Sequence, residues 1–485
     1  MLRKNLRAAD RRSMKAGGKK INRELILQGS MVHAILSLAI PVVINSFLQT
    51  MYNLTDTYWL GKIGTAELAA INLVTPVQNI IINFGSGITV AGSVLVTQFI
   101  GAGKKEEALK MANQIFAAAM LFAMVCTTVC FLVTPGIVTW LGADEETYRH
   151  SLVYLRVVIW DMPFLFMVNL FSAIHQAQGD TVRPMFLNLG GILLNLVLDP
   201  LFIVGLELGA GGAAAATLFA KMVPALTAFF LLTRPGKEIR LSRRHMGFEK
   251  EKLKLILKIG LPSAIGGSTM QLGFLLMSRN VYAYGTQAMA AYGIGNKVNG
   301  LITLPSNGIG SATATIVGQN IGARQQDRAE QGYKISMGIC VVFLFIGGMI
   351  LSRKPISTAI VSIFSEDGEV IAMAADFLSI MAAWCFTNGV YNATIGLFQG
   401  TGHTEVTMAV DASRLWVFRF LTLWVCGELL HMGVRSVWYS VVVSNAISAG
   451  ILYLLYRLGV WKKVKIRLRP EGEDRDGAKE TEKKT

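Results

Sequence analysis

Apolar stretches of about twenty or more residues recur roughly twelve times along this chain, and this recurrence limits its fold more than any other feature. A helix rises about 1.5 Å per residue, so twenty residues cross the roughly 30 Å hydrocarbon core of a bilayer. The stretches lie at 34–60, 68–100, 110–133, 149–177, 184–205, 210–233, 255–283, 288–321, 331–351, 369–398, 405–427 and 433–457. Several exceed the minimum, which permits tilting or bending. Of 485 residues, 52% are hydrophobic and only 16% are charged, too few charges for a soluble chain of this length. Backbone polar groups in lipid must be satisfied within their own segment, so the spans are helices. A barrel would show short alternating segments instead. The expected fold is an all-α polytopic membrane protein with twelve transmembrane helices.

The net charge of +15 is concentrated in three places. An N-terminal arm carries Arg3, Lys4, Arg7, Arg11, Arg12, Lys15, Lys19, Lys20 and Arg23. A central linker carries Arg234, Lys237, Arg240, Arg243, Arg244, Lys250, Lys252 and Lys254, with Lys258 just beyond it. A tail carries Lys462, Lys463, Lys465, Arg467 and Arg469. Twelve spans put all three on one side of the membrane, and the positive-inside rule makes that side cytoplasmic. An odd span count would split them. Basic runs of this kind also suit acidic lipids or nucleic acid, but topology accounts for them and no nucleic-acid partner is expected. The arm lacks the apolar core of a cleaved signal, and residues 470–485 have the composition of a disordered tail. Cys126, Cys130, Cys340, Cys385 and Cys426 all lie in apolar spans and say nothing about redox compartment.

The chain repeats itself at one offset. "GTAELAA" begins at Gly64 and "GTQAMAA" at Gly285, and 285 − 64 = 221. The same shift pairs Pro41 with Pro262, "QFIG" from Gln98 with "QNIG" from Gln319, Gln178–Gly179 with Gln399–Gly400, and Gly212 with Gly433. Two six-span lobes joined by the basic linker follow. Six is even, so both lobes enter the membrane with the same orientation, and the pseudo-two-fold axis runs along the membrane normal. The expected division is a basic arm 1–30, an N-lobe 31–233, a linker 234–254, a C-lobe 255–460 and a charged tail 461–485. Transporters built from repeats bind substrate at or near the repeat interface. The second span of each lobe is rich in small residues, among them Gly85, Gly87, Gly92, Gly308 and Gly310. Small residues let helices approach closely, as a sliding surface or as static packing.

An ionisable residue within a span is a functional candidate by default. Asp56 lies near the outer end of the first span. Asp199, in "NLVLDPLF", sits roughly 21–24 Å above the inner edge of the fifth, and Thr217 about 12 Å below the outer entry of the sixth. Asn195 precedes Asp199 by one turn and faces the same way. Pro200 has no N–H and disturbs the hydrogen bond to the carbonyl of residue 196, which offers another oxygen. Two carboxylates, an amide, a hydroxyl and a carbonyl suit a small hard cation or a shared proton, since two neighbouring carboxylates do not both ionise easily in a dry site. A structural ion pair is the competing account, with Lys221 in reach of Asp199 or Asp161. The 221 shift sends Asp56 to Met277, Asn195 to Trp416, Asp199 to Phe420 and Thr217 to Trp438, so the cluster belongs to one lobe. In the other lobe, Asp376 and Arg419 fall at similar depth and are expected to bridge the tenth and eleventh spans.

Taken in order, "GTAELAA", "QFIGAGKKEEA", "QAQGDT" with "FQGTGHT", and "NLVLDPLF" resemble the multidrug and toxic compound extrusion (MATE) family, in its DinF-like and MepA-like bacterial branch, over roughly residues 30–460. The resemblance implies two six-helix lobes around a central cavity. It implies a secondary antiporter of the cell (inner) membrane, with both termini cytoplasmic, exporting organic, often cationic, compounds against Na+ or H+. It assigns Asp56, Asn195, Asp199 and Thr217 to the cation site, which is a Na+ site if sodium couples. It assigns Gln49, Tyr52, Tyr154 and Asn169 to the cavity wall, and Pro41 to the bending point. It implies no catalytic residues and no cofactor beyond the coupling ion. The implied partners are small organic substrates and membrane lipids around a functional monomer. The seventh and eighth spans hold no Asp or Glu, so the acidic C-lobe site of some members is missing here.

Two other functions compete. A flippase for lipid-linked oligosaccharides, from the same superfamily, would want a cationic cavity for pyrophosphate. An intramembrane enzyme would draw on His175, with Asp180 nearby, or on His403, at the cytoplasmic ends of the fourth and tenth spans.

Overall fold

The computed structural model describes residues 19–60, 65–140, 145–234, 239–242, 247–463 and 465–466. Most of the basic arm, Gly64 of the first repeated motif, Lys237, Arg243 and Arg244 of the linker, and the tail from Arg467 lie outside the described residues. The described chain is helical and, among these residues, contains no strand. The helices are α1 (Lys19–Gln28), α2 (Met31–Leu60), α3 (Thr65–Gly101), α4 (Lys105–Trp140), α5 (Glu145–Val158), α6 (Met162–Ala177), α7 (Val182–Pro200), α8 (Gly209–Thr233), α9 (Lys250–Tyr282), α10 (Thr286–Gly322), α11 (Gln326–Leu351), α12 (Lys354–Val361), α13 (Gly368–Ala383), α14 (Phe386–Gly400), α15 (Thr404–Ser413), α16 (Phe420–Trp424) and α17 (Arg435–Arg457).

Nine segments among the described residues are long and apolar enough to cross a bilayer. One of them joins α5 to α6 through a tight turn at Ile159–Asp161, and Pro163 starts α6 where its missing N–H costs nothing. The pair α13 and α14, bent by 56°, makes a tenth. The remaining two expected spans are also helical. The eleventh runs through α15 and α16 with wide π-turns at Arg414–Arg419 and Val425–Leu429. The eighth, α10, is rich in Gly, Asn, Gln and Thr, and most of its C-terminal half is buried in the protein. A helix sheathed by other helices needs less apolar surface than one sheathed by lipid. Large apolar side chains do face outward elsewhere: Leu132, Phe230 and Leu275 are 71%, 62% and 60% exposed. Such a surface fits a lipid solvent.

The two lobes meet through equivalent contacts. Helix α2 packs on α10, and α3 packs on α9. The 221 shift exchanges these two pairs. A Cβ on Gly87 would lie 2.3 Å from the Gly260 carbonyl oxygen, and one on Gly308 would lie 3.2 Å from that of Ala39. The shift maps Gly87 to Gly308 and Ala39 to Gly260. At the end of the bundle nearer the charged linker the approach is closer. A Cβ on Gly101 would lie 2.0 Å from the Gln319 carbonyl oxygen, and one on Gly322 would lie 2.1 Å from that of Gln98. The "QFIG" and "QNIG" motifs therefore touch each other, and only glycine fits at their last position.

Helix α1 ties the lobes together at the same end. Its Arg23 donates to the carbonyls of Ile100 and Gly101 at the C-terminus of α3, both at 3.1 Å. Arg328 of α11 donates to Ile26 at 3.1 Å and to Gly29 at 2.6 Å. Cations at helix C-termini satisfy free carbonyls and the helix dipole together. Helix α2 serves both lobes. In its first part, one face made of Met31, Ala34, Ile35, Leu38 and Ala39 is buried with Ile309, Ala312 and Ile316 of α10. Its second part faces a cavity of the first lobe, and Pro41 stands between the two parts.

Candidate functional site

A cavity of about 680 Å³ opens inside the first lobe. Helix α2 contributes Gln49, Tyr52 and Asp56, α5 contributes Tyr154, α6 contributes Asn169, α7 contributes Asn195, and α8 contributes Thr217 and Lys221. Seven of the eight residues named above for the cation site and cavity wall thus line one space. The eighth, Asp199, sits one turn beyond Asn195 and is fully buried. Neither of its carboxylate oxygens has a hydrogen-bond partner among the described residues, and neither the oxygen nor the nitrogen of the Asn195 amide has one. A buried carboxylate in that condition is stable only when neutralised by a proton or a cation. Asp56 lies within Coulombic range of Asp199 and of Lys221, and Tyr52 reaches Thr217. Beyond Pro200 the helix does not stop; it widens into a π-turn at Leu201–Gly205. Wide turns of this kind absorb the bond that proline removes.

Lys221 had two possible partners, and the structure selects Asp161. The Asp161 carboxylate is buried in the turn between α5 and α6, so the two charges close on each other away from Asp199. Among the described residues Lys221 forms no ion pair with Asp199, and Asp56 stays within its Coulombic range.

The second lobe departs from expectation. Asp376 does not bridge to Arg419. It accepts two hydrogen bonds from Arg435, at 2.8 and 3.1 Å. Arg419 turns to α17 instead, donating to Ser444 at 3.2 Å and Asn445 at 3.3 Å. The cause is the π-turn Arg414–Arg419, which changes the direction of every side chain after it relative to an unbroken helix. The sequence reading also missed a cluster nearby. Tyr391 donates to Asp411, and Arg414 stacks over the Tyr391 ring at 4.4 Å with Asp411 3.7 Å away. The signal was present in "DASRLWVFR", an acid and two arginines within a membrane stretch.

The two histidines are structural. His175 contacts the Phe171 carbonyl at 2.9 Å, and Asp180 pairs with Arg183. His403, in the turn between α14 and α15, contacts Thr401 at 3.0 Å, and burial pushes its pKa down to about 4.

A second cavity, of about 440 Å³, lies between the lobes. It is lined by uncharged polar groups that include Ser86, Gln176, Asn307 and Asn392. Asn169 borders both cavities, so the two adjoin. Gln176 crosses the gap to Ser311.

The MatE family model matches residues 41–201 and 262–425. The two matched segments start 221 residues apart (262 − 41), the same offset as the internal repeat. The chain is 25% identical over 445 residues to the probable multidrug resistance protein YoeA of Bacillus subtilis (strain 168), covering 88% of this chain and 93% of the relative. It is 22% identical over 435 residues to the multidrug export protein MepA of Staphylococcus haemolyticus (strain JCSC1435), covering 89% and 94%. Among solved structures, an outward-facing multidrug resistance MATE transporter of the MOP superfamily matches with a TM-score of 0.85 and 25% identity, over 92% of this chain and 99% of that one.

Proposed function

The chain belongs to the MatE family of multidrug efflux transporters, and from that premise we propose that it is an antiporter expelling organic, often cationic, compounds as Na+ or H+ moves inward. It is a secondary transporter and a multi-pass membrane protein. In our reading the coupling ion loads at Asp56, Asn195, Asp199 and Thr217, and the substrate occupies the space walled by Gln49, Tyr52, Tyr154 and Asn169. The protein works as a monomer in the inner membrane with both termini cytoplasmic. The lobes divide at the basic linker 234–254.

The observation that carries this reading is Asp199: a fully buried carboxylate at membrane depth, beside a cavity, with no cation in ion-pair distance among the described residues. Its donor set fits either ion. Na+ takes carboxylate, amide and hydroxyl oxygens together, and a proton needs one carboxylate. Loading from outside removes charge from the cavity wall and favours release of a cationic substrate. Reciprocity then requires that substrate binding expel the ion. Pro41 supports a bend in α2 between the part held by the other lobe and the part that faces the cavity.

The test is ethidium efflux from proteoliposomes with Na+ and pH gradients imposed separately. Asp199→Asn is expected to fold and to lose gradient-driven efflux. Full gradient-driven efflux by that variant would sink the reading.

A further inference from the structure

We propose that the second lobe holds an anion site built on Arg414 and Arg419, taking the carboxylate or phosphate of an amphoteric substrate whose basic end faces the acidic first lobe. The proposal rests on the transport reading above and specifies its substrate class.

The first argument is uncompensated charge. Arg419 is 4% exposed and donates only to two neutral oxygens, those of Ser444 and Asn445. Among the described residues, no carboxylate lies within ion-pair distance of it. The ionisable groups in Coulombic range are Tyr292 and another cation, Arg414. Arg414 is 9% exposed, and its Nε has no partner. Asp411 is its one carboxylate neighbour among the described residues, and that carboxylate already accepts from Tyr391. Among the described residues, one guanidinium thus has a single acid that is already engaged and the other has none, in a dry interior where an unpaired charge is strongly unfavourable.

The second argument is the backbone. Five residues separate Arg414 from Arg419. In an α-helix that spacing turns two side chains about 140° apart. In a π-turn residue i bonds residue i+5, and the wider turn brings the two side chains closer around the axis than an α-helix does. The turn at Arg414–Arg419 therefore brings both cations to one side of the helix. Turns of this type cost helix regularity and are often kept at functional sites.

The third argument is the repeat. The 221 shift places Arg419 beside Phe420, the counterpart of Asp199. It places Trp438 at the counterpart of Thr217. The sign of the buried charge reverses between the lobes at these places: the first buries the Asp199 carboxylate, the second the Arg414 and Arg419 guanidinium groups. The unpartnered polar atoms of the second lobe include Arg414 Nε, the Tyr292 hydroxyl and Trp438 Nε1. Tyr292 and Trp438 stack at 6.2 Å. A buried acid in one lobe and two buried arginines in the other select a molecule carrying both a base and an acid.

The test uses purified protein in lipid nanodiscs and three probes: a fluoroquinolone, its ethyl ester, and ethidium. The ester keeps the amine and loses the carboxylate. Wild type is expected to bind the acid at least tenfold more tightly than the ester. Arg419→Gln should bring that ratio to within about threefold, and Arg419→Lys should keep part of it. Arg414→Gln should act in the same direction. Equal binding of acid and ester by wild type overturns the proposal without any variant needing to fold. So does an Arg419→Gln protein, monodisperse and normally melting, that keeps the full ratio. The anion has a second source in a lipid headgroup phosphate. If wild type retains phosphatidylglycerol through purification and Arg419→Gln does not, the site is an anion site filled by lipid. Failure of wild type to move ethidium in proteoliposomes would sink the transport reading alone. Ethidium efflux with equal acid and ester binding would sink the anion site alone.

Discussion

Gln98 and Gln319, 221 positions apart, each donate a hydrogen bond across the boundary between the lobes. Gln98 reaches the carbonyl of Gly400, and Gln319 reaches that of Ala177, both at 2.8 Å. Both side chains are buried, and each spans to the C-terminal end of a helix in the opposite lobe. The repeat has thus produced a reciprocal clasp that holds one end of the central cleft shut.

Opening that end must break both bonds. Each contributes about 0.5–1.5 kcal/mol, so Gln98→Ala with Gln319→Ala should raise the open fraction by a factor of about 5 to 160. Labelling of a cysteine at Ala314, which lines the inter-lobe cavity, reads this in a background without native cysteines. Unchanged labelling in the double variant would show that the clasp does not hold the cleft.

Gly101 faces backbone that has no freedom to yield. A Cβ there would sit 2.0 Å from the Gln319 carbonyl oxygen, so Gly101→Ala should destabilise by about 1–3 kcal/mol. Gly136→Ala is the control. Nothing lies within 4 Å of its Cβ position, and a mid-helix Gly→Ala change gains roughly 0.5–1 kcal/mol. Melting of the purified variants should separate in opposite directions from wild type.

Asp161 and Asp199 are both buried acids in opposite surroundings, the first paired with Lys221 and the second without a hydrogen-bond partner among the described residues. Removing Asp161 strands Lys221; because the lysine side chain is 29% exposed, the cost should be about 1–3 kcal/mol rather than that of a fully buried pair. Asp161→Asn should melt earlier than wild type, and adding Lys221→Met should restore most of the loss. Asp199→Asn removes an unpartnered charge and should melt no earlier than wild type. A large loss of stability in Asp199→Asn would mean that the carboxylate is a structural group.

His403 gives the fold a pH dependence. Its pKa is pushed down to about 4, first by burial; Glu405 opposes this, while Lys465 and Lys463 add to it. The unfolded chain takes up the proton below about 6.5 and the folded chain only near 4. This contribution to stability is therefore complete above the unfolded pKa and falls as pH drops between those values. Melting temperature against pH should flatten in His403→Gln. An identical slope in both proteins would assign the acid sensitivity elsewhere.

The membrane class, the helical spans and the duplication were legible in the chain because each is written in local composition or in a fixed offset. Depth along the helices, which follows directly from residue number, gathered Asp56, Asn195 and Thr217, whereas Gln49, Tyr52, Tyr154 and Asn169 came from the family resemblance alone. Partner choice was not legible. Lys221 had two acids within reach, and a few ångströms of helix position decided for Asp161. Arg419 was assigned to Asp376 by depth alone, and the π-turn that redirects it leaves no trace in hydropathy.

What the sequence alone determined is a twofold-repeated helical membrane protein with a cluster of carboxylate, amide and hydroxyl side chains in the first lobe that the second does not copy, because burial in lipid constrains composition directly. What only the tertiary structure decided is which charges neutralise one another and which stay unmatched. Coulombic pairing depends on rotation about the helix axis and on distances of a few ångströms, and those are set by the packing of helices remote in the chain.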